Sequence, residues 1–289
     1  QPTMELAMSR VPALADAGIK ELVNGPESFT PDGNFILGPA PGVRGFYVGA
    51  GFNAFGIASG GGAGKVLAEW IVGDEAPFDV WPVDIRRFGP PHADLHWVRK
   101  RTLEMYGKHY TIAWPAEEHE RGRPLRRSPL YDRLKSQGAV FGEKLGWERP
   151  NWFAADGEPS HDIYSMGRPN WFEAVAREHR AARERVALFD QTSFAKFRMI
   201  GRDARAALDW ICANDIDKSP GSLVYTQMLN GRGGIECDLT VVRLAEDDFY
   251  LVTGTGFATH DFDWIARQIP EGADARLLDV TSCNSVLVL

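Results

Sequence analysis

At 289 residues, with 44% hydrophobic and 25% charged side chains, the chain exceeds one average domain and has enough apolar residues for a substantial core. Its net charge of -7 argues against a nucleic-acid partner held by phosphate neutralisation. No apolar run approaches the ~18 residues of a membrane span, no basic-then-apolar leader opens the sequence, and Cys212, Cys237 and Cys283 fit neither a disulfide frame nor a zinc pattern.

Pro12 opens a short helical segment that Gly18 closes, and Ile19 to Val23 read as a brief strand. Turn chemistry fills Gly25 to Gly33. Phe35 to Gly38 and the run from Phe46 predict two strands joined across Pro39-Ala40-Pro41-Gly42. The stretch that follows organises the chain. Phe46 to Val48 read as a buried strand, the glycines from Gly49 to Gly64 as a tight turn, and Val66, Leu67, Trp70 and Ile71 as one helix face. Such a turn before a helix N-terminus can hold an anion or a polarised carbonyl against free amides, or it can simply pack a close strand-to-helix crossing.

Two motifs nearly fit there. Gly49-x-Gly51-x-x-Ala54 matches a dinucleotide fingerprint, but Glu69 falls inside the helix instead of ending a second strand. Ser59 to Lys65 imitates a phosphate loop, but its first position is serine and Val66 stands where a hydroxyl should bind magnesium.

Gly89-Pro90-Pro91 marks a boundary. Beyond it, Trp97, Tyr106, Tyr110, Trp114, Arg121, Arg123, Arg126, Arg127 and Trp147 alternate with Glu117, Glu118 and Glu120, which favours a packed connector with solvated charges over a single-strand nucleic-acid groove. His92 and His96 stand four apart without an H-E-x-x-H core or third ligand, and read as surface histidines.

Phe172 to Phe189 is predicted helical, with Val175, His179, Ala182, Val186 and Phe189 as its core stripe. Phe194 to Ile200 predicts a strand, Asp203 to about Ala213 a helix, and Leu223 to Leu229, Ile235 to Leu244 and Phe249 to Thr253 a meander. Asp238 lies inside that meander beside Leu239, Val241 and Val242. A carboxylate on an apolar sheet face is costly unless paired, so it is either an ion-pair partner of an arginine or a ligand-binding, proton-handling group.

Glu27 to Gly33, Gly51-Phe52-Asn53-Ala54-Phe55-Gly56-Ile57, Leu67 to Ile71 and Asp84 to Phe88 resemble the dimethylglycine and sarcosine dehydrogenase family. Arg123 to Tyr131 and Gly146 to Pro150 resemble its connector. Val186 to Asp190, Tyr225 to Asn230 and Gly233 to Val241 resemble its folate-binding, aminomethyltransferase-like half. The resemblance implies a mixed α/β and α+β multidomain chain: the C-terminal part of an FAD-dependent oxidoreductase domain over 1–88, a central connector over 89–150, and the N-terminal part of an aminomethyltransferase-like folate-binding domain over 151–289.

It further implies FAD and tetrahydrofolate as cofactors, oxidative demethylation of dimethylglycine or sarcosine, and electron-transfer flavoprotein or oxygen as acceptor. The location implied is cytoplasmic in a bacterium and the mitochondrial matrix in a eukaryote. Gly51, Phe52, Asn53, Gly56 and Ile57 would approach the flavin. Asp238 would hold the folate's linking nitrogen and assist its proton changes, with Tyr225, Met228 and Val252 lining that pocket. Gly254 departs from the asparagine that related aminomethyltransferases often carry.

The family's dinucleotide fold, flavin-attachment histidine and amine pocket should precede Gln1, and Val286 to Leu289 read as a strand in mid-domain. A longer protein is therefore expected, in which residues 1–289 alone do not turn over. Two rival classes are a folate-dependent aminomethyl or methyl transferase without flavin activity, and a non-catalytic folate-binding module on the same folds.

Overall fold

The computed structural model describes residues 2–289. Helix α1 (Pro2–Arg10) and a 3₁₀ turn at Pro12–Asp16 open the chain. Ile19 to Val23 form no strand: Ile19, Leu22 and Val23 are exposed, and β propensity has no partner surface to act on there. Strands β1 (Ile36–Pro39) and β2 (Tyr47–Ala50) pair antiparallel, from Ile36 opposite Ala50 to Pro39 opposite Tyr47. This ribbon packs through β1, where Leu37 is buried, whereas Phe46 and the end of β2 are exposed rather than buried. At Gly38, φ is +109° and an added Cβ would meet the Trp70 ring at 2.8 Å, so glycine alone lets the helix approach.

Helix α2 (Gly56–Gly73) starts before the expected turn ends, so Gly60, Gly61, Gly62 and Gly64 are helical. Its inward face is Ala63 and Trp70, with Val66 and Leu67 half-buried; Ile71 is exposed. Asp74, at φ +58°, terminates it.

Three 3₁₀ turns (Trp81–Val83, Ile85–Arg87 and Pro90–Ala93) lead into α3 (Leu95–Lys108), whose first turn is capped by Asp94 accepting the Trp97 N–H at 2.7 Å. After α4 (Tyr131–Ser136), β3 (Ala139–Lys144) and β4 (Trp147–Phe153) form a hairpin. The connector's charges are not all solvated. Arg123 grips Glu148 through two bonds at 2.8 and 2.6 Å, Arg101 pairs with Glu143, and Arg126 lies 4.1 Å above the Trp147 ring. Buried Arg101, Glu104 and Glu148 are tolerated because each has a partner of opposite charge. His96 is exposed, but His92 is half-buried against Trp97 and Phe88, with Nδ1 accepting the Gly89 N–H at 3.0 Å.

Helix α5 (Phe172–Glu184) ends before the predicted Phe189, and its inward residues are Ala174, Val175 and Ala181; His179 and Val186 face out. A short β5 (Phe189–Asp190) pairs with the terminal β11 (Leu287–Val288). The main sheet consists of β6 (Ala195–Ile200), β7 (Leu223–Leu229), β8 (Ile235–Ala245), β9 (Asp248–Thr253) and β10 (Arg276–Asp279), all antiparallel, in the order β10-β6-β9-β8-β7. Helices α6 (Ala204–Ile211) and α7 (Ala258–Gln268) supply the other side of its core, where Phe197, Met199, Leu208, Met228, Leu239, Phe249 and Ile265 are buried. Each such side chain contributes roughly 1.5–3 kcal/mol by leaving water. The opposite face of β7, β8 and β9 is the one left to bind something.

Candidate functional site

A cavity of about 1070 Å³ lies over that open face. Its walls are the loop from Ala76 to Trp81, the strands at Tyr225, Glu236, Asp238 and Val252, and the start of α7 at His260 and Asp261. Of the folate-side expectations, Tyr225, Asp238 and Val252 all line it. Met228 does not: it is wholly buried opposite Cys237, on the core side of the sheet. The two-residue period explains the split, since Tyr225 and Gln227 alternate with Met228 along β7.

Asp238 is exposed, and its neighbours Cys237 and Leu239 carry the buried face. It is therefore not a carboxylate forced onto an apolar surface. Among the described residues, no arginine or lysine forms an ion pair with it. Its neighbours are neutral groups: Gln227 Nε2 donates to Oδ1 at 3.3 Å, and the carboxylate raises the pKa of the nearby Tyr225.

Residues that spacing alone did not select complete the wall. Glu236 accepts from Asn230 Nδ2 at 2.9 Å and lies 3.4 Å from His260 Nε2. His260 Nδ1 meets Asp261 at 2.9 Å, and Asp261 accepts the Thr253 hydroxyl at 2.5 Å. Burial opposes a charge on His260, but the hydrogen bonds that it donates to Asp261 and Glu236 outweigh it and raise its pKa. The hydrogen bond with His260 in turn lowers the pKa of Glu236. Glu236 is legible from sequence, two positions from Asp238 on β8; His260 and Asp261 belong to α7, a segment remote in sequence from β7.

The glycine stretch sorts into three environments. Gly51, at φ +68°, lines a second cavity of about 1050 Å³ between the ribbon, the connector and α7. Phe52 stacks on Phe35 with ring centroids 5.1 Å apart, and Asn53 is buried, its amide turned into its own loop. Gly56 and Ile57 are exposed at the start of α2, whose N-cap residue Phe55 offers no side-chain acceptor to the first-turn amides. Uncapped amides beside an exposed glycine fit a ligand bearing negative charge there.

The Glu75 carboxylate joins the two regions. It follows the C-terminus of α2, accepts the Gly231 N–H at 2.8 Å and pairs with Arg232 at 3.1 Å, so the β7–β8 turn is fastened to the loop that walls the first cavity. No described helix is long and apolar enough to cross a membrane.

Family models match the chain in three consecutive segments: FAD dependent oxidoreductase over residues 1–70, FAD dependent oxidoreductase central domain over 74–128, and GCVT N-terminal domain over 130–289. The chain is 44% identical to a 4-methylaminobutanoate oxidase (formaldehyde-forming) of Paenarthrobacter nicotinovorans, over 99% of this chain and 35% of that protein. It is 41% identical to human mitochondrial sarcosine dehydrogenase, over 93% of this chain and 33% of the relative. A mouse mitochondrial pyruvate dehydrogenase phosphatase regulatory subunit matches at 38% identity, over 97% of this chain and 33% of the relative. The chain thus spans about a third of the length of these curated relatives. With its oxidoreductase, central and GCVT segments in that order, the chain belongs to the sarcosine and dimethylglycine dehydrogenase family.

Proposed function

We propose that the whole protein oxidises an N-methylated glycine, dimethylglycine or sarcosine, and passes the one-carbon unit to tetrahydrofolate or releases it as formaldehyde. The observation that carries this reading is Asp238, an exposed carboxylate without an ion-pair partner among the described residues, bonded by Gln227 beside Tyr225 in a large cavity of the GCVT segment. Its domains would divide as 1–88, 89–150 and 151–289.

When bound, FAD supplies the hydride acceptor for the amine's N-methyl group. Gly51 and Phe52 shape the loop, Asn53 keeps it folded, and Gly56 and Ile57 present the first amides of α2 toward negative charge. On the folate side, Asp238 accepts a hydrogen bond from the ligand's linking nitrogen and can take its proton. Tyr225 and Gln227 orient that carboxylate, and Val252 gives the cavity an apolar wall. The acceptor that reoxidises the flavin would be electron-transfer flavoprotein or oxygen. A bacterial protein would work in the cytoplasm and a eukaryotic one in the mitochondrial matrix.

An absorbance spectrum of the purified protein, followed by anaerobic addition of sarcosine and dimethylglycine in turn, tests this reading. Bleaching of a flavin band by either amine supports it and identifies the better substrate. A protein with no flavin band after reconstitution with FAD would favour a folate-dependent transferase. The match to a regulatory subunit favours a second reading, a non-catalytic module, which absence of both flavin and folate binding would support.

A further inference from the structure

The cavity over β7 to β9 contains a titratable network that the role of Asp238 does not use. Glu236 and Asp238 are two apart on β8, and both line the cavity while Cys237 between them is buried in the core. The Glu236 side chain is 23% exposed, so its carboxylate meets both the cavity and the protein. Its orientation is fixed from two sides, by Asn230 Nδ2 at 2.9 Å and His260 Nε2 at 3.4 Å. His260 is itself held by Asp261, which Thr253 anchors in turn.

The charges around this network do not balance. The cavity is lined by the carboxylates Asp79, Asp84, Glu236, Asp238 and Asp261, against Arg86, Arg232 and His260. Both arginines are already engaged: Arg86 is paired with Asp84 at 2.7 Å, and Arg232 with Glu75 at 3.1 Å. The surplus charge is negative: Glu236 and Asp261 share the single imidazole of His260, and Asp79 and Asp238 have no ion-pair partner among the described residues. Facing it, the Trp81 ring packs 4.7 Å from Phe257 and edge-on to His260 at 5.7 Å, placing aromatic rings beside the carboxylates. Carboxylates combined with aromatic faces suit a methylated, positively charged nitrogen.

We propose that Glu236 and Asp238 form a subsite for the cationic nitrogen of an N-methylated one-carbon donor, and that His260 is the positioning residue that aims Glu236 into it. The subsite deepens the folate-cavity reading and rests on it. A cationic donor held there would stand on the same sheet face as the acceptor bound at Asp238, with no bond made or broken by Glu236 itself. Glu236 and Cys237 on β8, Asp261 on α7, Trp81, and Arg86 on the preceding 3₁₀ turn all face the His260 ring. Of these, the two carboxylates favour the imidazolium and Arg86 opposes it.

Calorimetric titration of the purified protein with dimethylammonium chloride, between pH 6 and 9, tests the subsite in wild type, Glu236→Gln and His260→Gln. Glu236→Gln should weaken binding by about tenfold, the effect of removing one partly desolvated charge partner. His260→Gln keeps a donor toward Glu236 but not its charge; it should weaken binding less and flatten the pH dependence seen in wild type. No binding to wild type, or equal affinity in Glu236→Gln, would overturn the subsite. Nitrogen NMR of the wild-type histidines covers the case where a variant fails to fold: an imidazole that titrates above the ordinary 6.5 is expected, and one that titrates at or below it would overturn the role of His260. Titration with 5-formyltetrahydrofolate in parallel separates the two readings. Folate binding with no cation binding sinks the subsite alone, whereas cation binding without folate binding sinks the folate reading and the donor's role together.

Discussion

Asn53 Oδ1 accepts the backbone N–H of Thr30 at 2.8 Å, joining two loops 23 residues apart, while its Nδ2 donates to the Gly51 carbonyl at 2.7 Å. The residue also sits at φ +48°, a conformation asparagine tolerates better than most side chains. Asn53→Ala should therefore destabilise the protein by about 1–3 kcal/mol, the cost of leaving buried backbone groups unpaired. Asn53→Gly would relieve the backbone but restore neither bond. Denaturant unfolding decides this; a wild-type midpoint in Asn53→Ala would show that the clasp does not stabilise the loop.

The meander was legible because β7, β8 and β9 alternate and their turns carry Asn230-Gly231 and Glu246-Asp247. Strand periodicity assigns residues to faces, but it does not say which face meets the core. With Gln227 opposite Asp238, the register puts Tyr225, Gln227 and Asp238 together and sends Met228 the other way. The cavity's other wall was not legible. Trp81, Arg86 and His260 converge from segments far apart in sequence, and ion pairs such as Arg86 with Asp84 have no periodic signature. Helical glycines misled in the opposite direction: Gly60 to Gly64 read as a turn, yet flanking helix and the packing of Ala63 and Trp70 overrode their low propensity.

The split between Met228 and Tyr225 yields a paired prediction. Met228→Ala should lose about 2–5 kcal/mol of stability, as for a large-to-small change in a closed core. The affinity of the folded protein for 5-formyltetrahydrofolate should not change. Tyr225→Phe should do the reverse, leaving thermal stability near wild type and weakening the folate analogue. Loss of affinity in a well-folded Met228→Ala would return that residue to the pocket.

Lys196 is fully buried, and its Nζ donates to the carbonyls of Thr192 at 2.6 Å and Asn284 at 3.0 Å. Burial, reinforced by Arg126, lowers its pKa from 10.5 to about 8. Between those values the unfolded chain binds more protons than the folded one, so this group makes stability rise with pH. Across that window the gain should reach roughly 3 kcal/mol, and Lys196→Met should abolish it relative to wild type. Unfolding curves collected from pH 7 to 10.5 test the sign, and a parallel fall in both proteins would refute it.

His260 predicts the opposite trend. Its folded pKa is raised above the ordinary 6.5, so its stabilisation is fully present below that value and is lost as pH climbs through the folded pKa. His260→Gln should remove that loss, leaving a flatter stability profile on the alkaline side of pH 6.5. A variant with an unchanged profile would mean that the imidazole titrates alike in the folded and unfolded chain.

Asp238→Asn separates the two halves of the proposed chemistry. The side chain is exposed and makes no ion pair, so the substitution should alter stability by no more than about 0.5 kcal/mol. Asparagine retains an acceptor for Gln227 and Tyr225 but cannot take a proton, so one-carbon transfer to tetrahydrofolate should fall by at least about tenfold, the lower part of the range for loss of a proton-handling group. Flavin reduction by the amine should persist, because none of the residues from Gly51 to Ile57, proposed for the flavin side, lines the Asp238 cavity. The Tyr225 hydroxyl supplies an independent check. Its pKa is raised by the Asp238 carboxylate, and replacing that carboxylate with an amide should return it toward the ordinary value of 10 in an ultraviolet titration. Equal losses in flavin reduction and folate transfer, with no change at Tyr225, would remove Asp238 from the folate chemistry and make it a structural residue.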